Sequence, residues 1–200
     1  MEALLAADST AVAASETAGC GTACCGERGG QSRSGARRQQ AEWGRRLAHD
    51  LHRGRWRPAV GNSDAHLAGQ LGTPHTVVHA EELSGEAVLA GVRAGRSWIA
   101  ESTAVTLDVT ATAAGRTGGV GERLAADGEP IVVRVQVCGV PSGTITLHTE
   151  GGIVHRHALP ADGAGVTQWR TSTEETAFVR VEVRHPNLHM AALSNPIILT

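Results

Sequence analysis

The sequence predicts two regions of different fold class, an α/β region followed by an all-β region. Between residues 39 and 102, one segment carries apolar side chains at every fourth position, which is the period of a helix packed on one face, and a second carries helix-capping residues at both ends. From 103 to 200, apolar and polar residues alternate, as in the run Val105, Leu107 and Val109, which is typical of a half-buried strand. We therefore expect a domain boundary near residue 102, with an antiparallel β-sandwich-like domain after it.

Composition argues against two classes of partner. The net charge is −2 and no run of basic residues could follow a nucleic-acid backbone, so the sequence predicts no nucleic-acid partner. No run approaches the roughly 18 apolar residues that span a bilayer, and the N-terminus lacks a basic segment followed by an apolar one. With 41% apolar residues the chain can form a core, and we predict a cytoplasmic protein without a membrane partner.

The first third of the chain divides into an irregular segment and a short helix. Residues 1–38 are rich in Ala, Gly, Ser, Thr and Arg without a sustained period, which predicts disorder or a segment unrelated to the rest of the chain. After it Trp43, Leu47 and Leu51 recur at every fourth position, and Gly54 can end the helix that this spacing predicts.

A strand, a polar loop and a second helix come next along the chain. WRPAV, residues 56–60, is predicted as a short strand. Ser84 is a suitable N-cap for the next helix, Glu86 lies in its first turn, and Gly95 can form its C-cap. Helix, strand, loop and helix in this order are typical of an α/β unit.

The all-β prediction depends on several alternating stretches separated by Gly, Pro and Asp turns. The predicted strands contain Val133 to Val137, Ile145 and Leu147, GGIVHRHAL, VTQWRTS, Val179 to Val183, and the final NPIILT.

The loop GNSDAH, directly after the predicted strand 56–60, contains the candidate metal ligands. Asp64 and His66 are two residues apart, and in an extended chain such residues point the same way with Cα atoms about 6.5 Å apart. A carboxylate and an imidazole so placed can bind one divalent ion, with Asn62 and Ser63 supporting them. The alternative is a polar turn with a capping aspartate and a surface histidine.

The stretches RPAVGNSDAHLAGQLGTPHTVV and LSGEAVLAGVRAGRSWIAES resemble the final part of a PHP (polymerase and histidinol phosphatase) domain, most closely the CehA/McbA-like metallohydrolases. AFVRVEVRH and MAALSNPIILT resemble the closing strands of that group, so the resemblance covers about residues 41–200. It implies that residues 39–102 are the C-terminal remnant of a distorted β/α barrel. It also implies two or three divalent ions (zinc, manganese or iron) and metal-activated water that attacks a phosphoester or another ester-like bond of a small molecule.

The resemblance carries over to few site residues. The last ligand motif of the family, an Asp-x-His, maps onto Asp64 and His66, whereas no His-x-His precedes them. The spelling His155-Arg156-His157 recurs in the β region, where we expect both histidines on one exposed sheet face. His75 and Arg96 are candidate substrate-binding residues, because a loop histidine and an arginine suit an anionic ester.

Two functions remain open from the sequence. The first is a PHP-type hydrolase in truncated form, whose missing N-terminal half of the barrel supplied the other ligands. The second is a non-catalytic β-sandwich module for binding or assembly, joined to a vestigial barrel remnant.

Overall fold

The computed structural model describes residue 50 and residues 56–67 and 70–200. Between residues 70 and 200 the chain forms twelve strands and one helix, in this order: β1 His75–Val78, α1 Gly85–Ala94, β2 Ser97–Ala100, β3 Thr106–Ala113, β4 Arg116–Gly119, β5 Arg123–Leu124, β6 Ile131–Cys138, β7 Thr144–Thr149, β8 Gly152–Ala158, β9 Gly165–Thr171, β10 Phe178–Arg184, β11 Met190–Ser194 and β12 Ile197–Leu199.

The strands form two sheets. The larger has eight strands in the order β1-β2-β11-β10-β12-β5, with β7 also paired to β10 and β8 paired to β7. The smaller has the order β4-β3-β6-β9. The parallel pair is β12–β5, and the other strand pairs within the described residues are antiparallel. The antiparallel all-β prediction for the second half of the chain is confirmed.

Alternation along the strands places the core between the two sheets. On β6 the side chains of Ile131, Val133, Val135 and Val137 are fully buried, and Val181 on β10 packs in the same cluster. Burying each such side chain contributes about 1.5–3 kcal/mol, so this core is the main source of stability for the two sheets.

Helix α1 begins and ends where its capping residues predict. The Ser84 side chain accepts a hydrogen bond from the Ala87 N–H, and Gly95 adopts the left-handed conformation at the C-cap. Gly91 lies against Val78, so the helix packs closely on β1. No helix in the described part of the chain has the length and apolar character needed to cross a membrane.

The predicted strand at residues 56–60 is wrong. Pro58 has no N–H to donate, and the N–H of Ala59 binds the side chain of Asn195 instead of a neighbouring strand. The strands that flank α1 are β1 and β2, which pair with each other. The predicted segment 1–38 and, except for the helical Asp50, the predicted helix before Gly54 lie outside the described residues.

Sheet pairing crosses the predicted boundary near residue 102. Strand β2 pairs with β11, with Ile99 opposite Leu193. Residues before and after the boundary therefore share one sheet, while the division into domains stays a prediction.

We predict opposite effects for two glycines of α1. Gly95→Ala should cost more than about 1 kcal/mol, because Gly95 has a φ of 74° and an added Cβ would lie 2.1 Å from the tip of the Trp56 ring. Gly85→Ala should stabilise by about 0.4–1 kcal/mol, because the added methyl meets open space and the unfolded chain loses freedom. Urea unfolding of both variants tests this; equal stabilities would contradict it.

Candidate functional site

The chain segment before the candidate ligands is held on the large sheet by side chains. The N–H of Ala59 donates to Oδ1 of Asn195 at 2.8 Å, and Nδ2 of Asn195 donates to the carbonyl of Ala59 at 3.1 Å. Two residues later, the N–H of Gly61 donates to the hydroxyl of Thr76 at 2.9 Å, and that hydroxyl donates to the Gly61 carbonyl at 2.7 Å. Sequence reasoning did not identify Asn195 or Thr76, since neither belongs to a ligand motif.

Asp64 does not lie in extended backbone. Its φ is 45°, in the left-handed region that aspartate tolerates better than most residues, and its N–H donates to Oδ1 of Asn62 at 3.0 Å. The extended geometry predicted for Asp64 and His66 is therefore wrong, although the two side chains stay in the same exposed loop. The relation between them is set by a turn and not by a strand.

His66 is oriented by its own loop. Its Nδ1 lies 2.7 Å from the carbonyl oxygen of Asp64, and since a carbonyl can only accept, Nδ1 carries the proton. In the neutral ring Nε2 then keeps its lone pair, the state in which histidine binds a metal ion. The backbone N–H of His66 donates to Oε1 of Gln70, which closes the loop.

The two predicted substrate-binding residues lie at opposite ends of the β1–β2 strand pair, His75 at the start of β1 and Arg96 directly before β2. His75, half-buried at the start of β1, donates from Nδ1 to the Gly72 carbonyl at 2.8 Å, in the same loop as His66. The carbonyl of Arg96 accepts a hydrogen bond from the N–H of His79. His79 is four residues after His75, which corresponds to about 13 Å along an extended chain. Arg96 Nη1 contacts Glu81 at 3.5 Å, and its buried Nε has no hydrogen-bond partner among the described residues. His75 thus contacts the loop that contains His66 through the Gly72 carbonyl, whereas Arg96 lies near the other end of β1.

The donors in this loop do not amount to a complete metal centre. Hydrolytic zinc sites use three protein ligands. In residues 56–67 and 70–200 there is no group of three or more His, Cys, Asp and Glu side chains suited to hold a metal ion. A carboxylate with an imidazole suits zinc, manganese or iron, so Asp64 and His66 fit as two ligands of a larger set.

The motif His155-Arg156-His157 lies on β8, where the two sheets meet. His155 and His157 are half-buried, and Nε2 of His155 lies 2.8 Å from the hydroxyl of Thr167 on β9. The prediction of an exposed face is wrong because β8 and β9, from different sheets, come together here. The exposed side chains on β8 are those in between, including Val154 and Arg156.

A buried group of polar side chains lies on β7 and β10, on the face opposite the core. Arg180 Nη1 and Arg184 Nη2 contact the Glu182 carboxylate at 2.9 and 3.0 Å. Thr146 donates to the Glu182 carbonyl and accepts from Nε2 of His148 at 3.1 Å. Every charge here has a partner, as a structural network requires.

The network changes the pKa of both titratable members. Burial lowers the pKa of His148 from 6.5 to about 4; Glu182 opposes this shift, while Arg180 and Arg184 add to it. Burial by itself raises the pKa of Glu182, but Arg180, His148 and Arg184 together bring that pKa below its ordinary value. His148 is thus neutral at pH 7, and its contact with Glu182 is not an ion pair.

We predict that His148 makes stability depend on pH. Between pH 6.5 and 4 the unfolded chain takes up a proton at His148 and the folded chain does not, so stability falls as the pH falls through this window. The loss should reach about 3 kcal/mol, and His148→Gln should remove it. Urea unfolding at several pH values tests this, with the exposed His189→Gln as control. An unchanged slope in His148→Gln would contradict the assignment.

Comparison with known protein families finds a match over the segment that carries the loop. Searches of curated proteins and of solved structures returned no match to this chain. The family described as PHP-associated matches residues 43–97, which include Asp64, His66, helix α1 and Arg96. The chain therefore contains a PHP-associated segment, and this segment ends at the first residue of β2.

Proposed function

We propose that this chain is the C-terminal part of a PHP-type metal-dependent hydrolase, related to the CehA/McbA-like group, and that it supplies Asp64 and His66 to a divalent-metal centre. The observation that carries the proposal is the hydrogen bond from Nδ1 of His66 to the Asp64 carbonyl, which leaves Nε2 free for a metal ion. The PHP-associated match at residues 43–97 supports the same assignment.

The remaining ligands would come from a polypeptide segment outside the described residues, as the missing part of the barrel. The exposed apolar side chains of the PHP-associated segment support this. Val60, Leu67, Leu71 and Leu83 are each more than half exposed, whereas apolar side chains of the β-sandwich are mostly buried. All four lie within residues 60–83, and they would be covered if the remaining part of the barrel packed on this segment.

The substrate class under this proposal is a phosphoester or another ester-like bond in a small molecule. Enzymes of this kind use a metal ion to activate water and to polarise the ester oxygen. In this chain Asp64 would supply negative charge to the ion and His66 a neutral nitrogen. His75, the first residue of β1, donates from Nδ1 to the Gly72 carbonyl of this loop, and it is the better candidate of the two predicted residues for contact with substrate.

Zinc titration of the whole chain, followed by the ring ¹⁵N resonances of its histidines, tests the proposal. We expect Zn²⁺ to shift Nε2 of His66 saturably, and Asp64→Ala and His66→Ala to lose this response while the sheets stay folded. His189→Ala is the matched control, because His189 is exposed and lies in the turn between β10 and β11. Equal zinc binding by wild type, Asp64→Ala and His66→Ala would overturn the assignment.

A non-catalytic binding or assembly module is the second candidate. The buried members of the main core cluster run from Val105 to Leu199, so the PHP-associated segment contributes none of them. A β-sandwich with its own core can serve as a module without any metal chemistry. A folded chain whose His66 ring does not respond to zinc would favour this function.

A further inference from the structure

We infer that the large sheet positions the proposed metal-ligand loop, with Asn195, between β11 and β12, and Thr76, on β1, as the positioning residues. The inference rests on the proposed function, because it names what orients His66. It gives the second half of the chain a part in the site, in addition to its own fold.

Asn195 acts in place of a strand for the segment before the loop. It is buried between β11 and β12, and its amide both accepts from and donates to Ala59, 136 residues earlier in the sequence. The same Nδ2 also lies 3.0 Å from the carbonyl and 3.0 Å from the hydroxyl of Ser97 on β2. The amide offers both a donor and an acceptor, whereas an ionised aspartate only accepts, so aspartate cannot replace it.

Thr76 repeats this contact two residues further along. Its hydroxyl accepts from the N–H of Gly61 and donates to the Gly61 carbonyl. The approach is close: a Cβ on Gly61 would lie 2.6 Å from Cγ2 of Ile99 on β2. Gly61 is therefore fixed against two strands of the large sheet, three residues before Asp64.

The fixed segment continues into the ligands through further side-chain acceptors. Asn62 Oδ1 accepts from the N–H of Asp64, and Gln70 Oε1 accepts from the N–H groups of His66 and Leu67. The carbonyl of Asp64 then accepts from the His66 ring. Between residues 59 and 67, five backbone N–H groups thus donate to side-chain acceptors, those of Ala59, Gly61, Asp64, His66 and Leu67. Asn195 and Thr76 connect this segment to the large sheet.

The test compares Thr76→Val and Asn195→Asp with wild type, using the whole chain. Valine keeps the shape of Thr76 but neither donates nor accepts, and aspartate at position 195 cannot donate to the Ala59 carbonyl. We expect faster hydrogen exchange at the Gly61 amide in Thr76→Val, and a mixture of His66 tautomers in both variants. Zinc affinity at His66 should fall about tenfold or more, as for other residues that orient a metal ligand.

Asn187→Asp is the matched control, because Asn187 is exposed and its Oδ1 accepts from the N–H of His189 in a turn between β10 and β11. It should leave the Gly61 exchange rate, the His66 tautomer and zinc affinity as in wild type. Thr76→Val keeps the test decisive if Asn195→Asp does not fold.

The outcomes separate this inference from the proposed function. If Thr76→Val frees the Gly61 amide but His66 keeps its tautomer and its zinc affinity, the positioning role is overturned and the proposed function stands. If wild type binds no zinc at His66, the proposed function is overturned. The positioning of His66 is then supported by a changed tautomer in Thr76→Val and overturned by an unchanged one.

Discussion

The side-chain amide of Asn195 joins the PHP-associated segment to the β-sandwich, and the position of the loop with Asp64 and His66 depends on that contact. β11 and β12 both pair with β10, and Asn195 lies at the break between them, next to Pro196, which has no N–H to donate. At this break the side-chain amide of Asn195 donates to the carbonyls of Ala59 and Ser97. The segment that leads to Asp64 and His66 is thus hydrogen-bonded to the large sheet at the break between β11 and β12.

The two faces of the large sheet are covered by different kinds of contact. One face packs against the smaller sheet through apolar side chains such as Val181 and Val183. On the other, Glu182 and His148 are buried with the arginines that neutralise the carboxylate, while Trp56 packs on Phe178 and Ile198. A buried charge is tolerated only when its partners are complete, so this face is held by specific contacts as much as by apolar area. Trp56, three residues before Ala59, packs on this second face.

Elements with a strong local pattern were predictable from the sequence. The alternation in β3, β6 and β10 and the capping residues of α1 each depend on neighbours within a few positions. These strands and the ends of the helix can therefore be predicted from local sequence. The strand predicted at residues 56–60 is wrong for the same reason. Its apolar residues fit the pattern of a strand, but the N–H of Ala59 donates to a side chain far away in sequence. Strand β1 has only four residues and comes after a loop, which leaves too short a pattern to predict.

The candidate site shows the same division. By itself the sequence determined the antiparallel all-β architecture, the ends of α1, and the Asp-x-His pair as the residues most worth testing. Only the tertiary structure decided that Asp64 is left-handed, that Nδ1 of His66 carries the proton, that the His75 ring bonds to the Gly72 carbonyl of their loop, and that Asn195 holds the segment before them. The physical reason is that periodicity and capping are local, whereas the hydrogen bonds that orient the loop join residues as far as 136 positions apart.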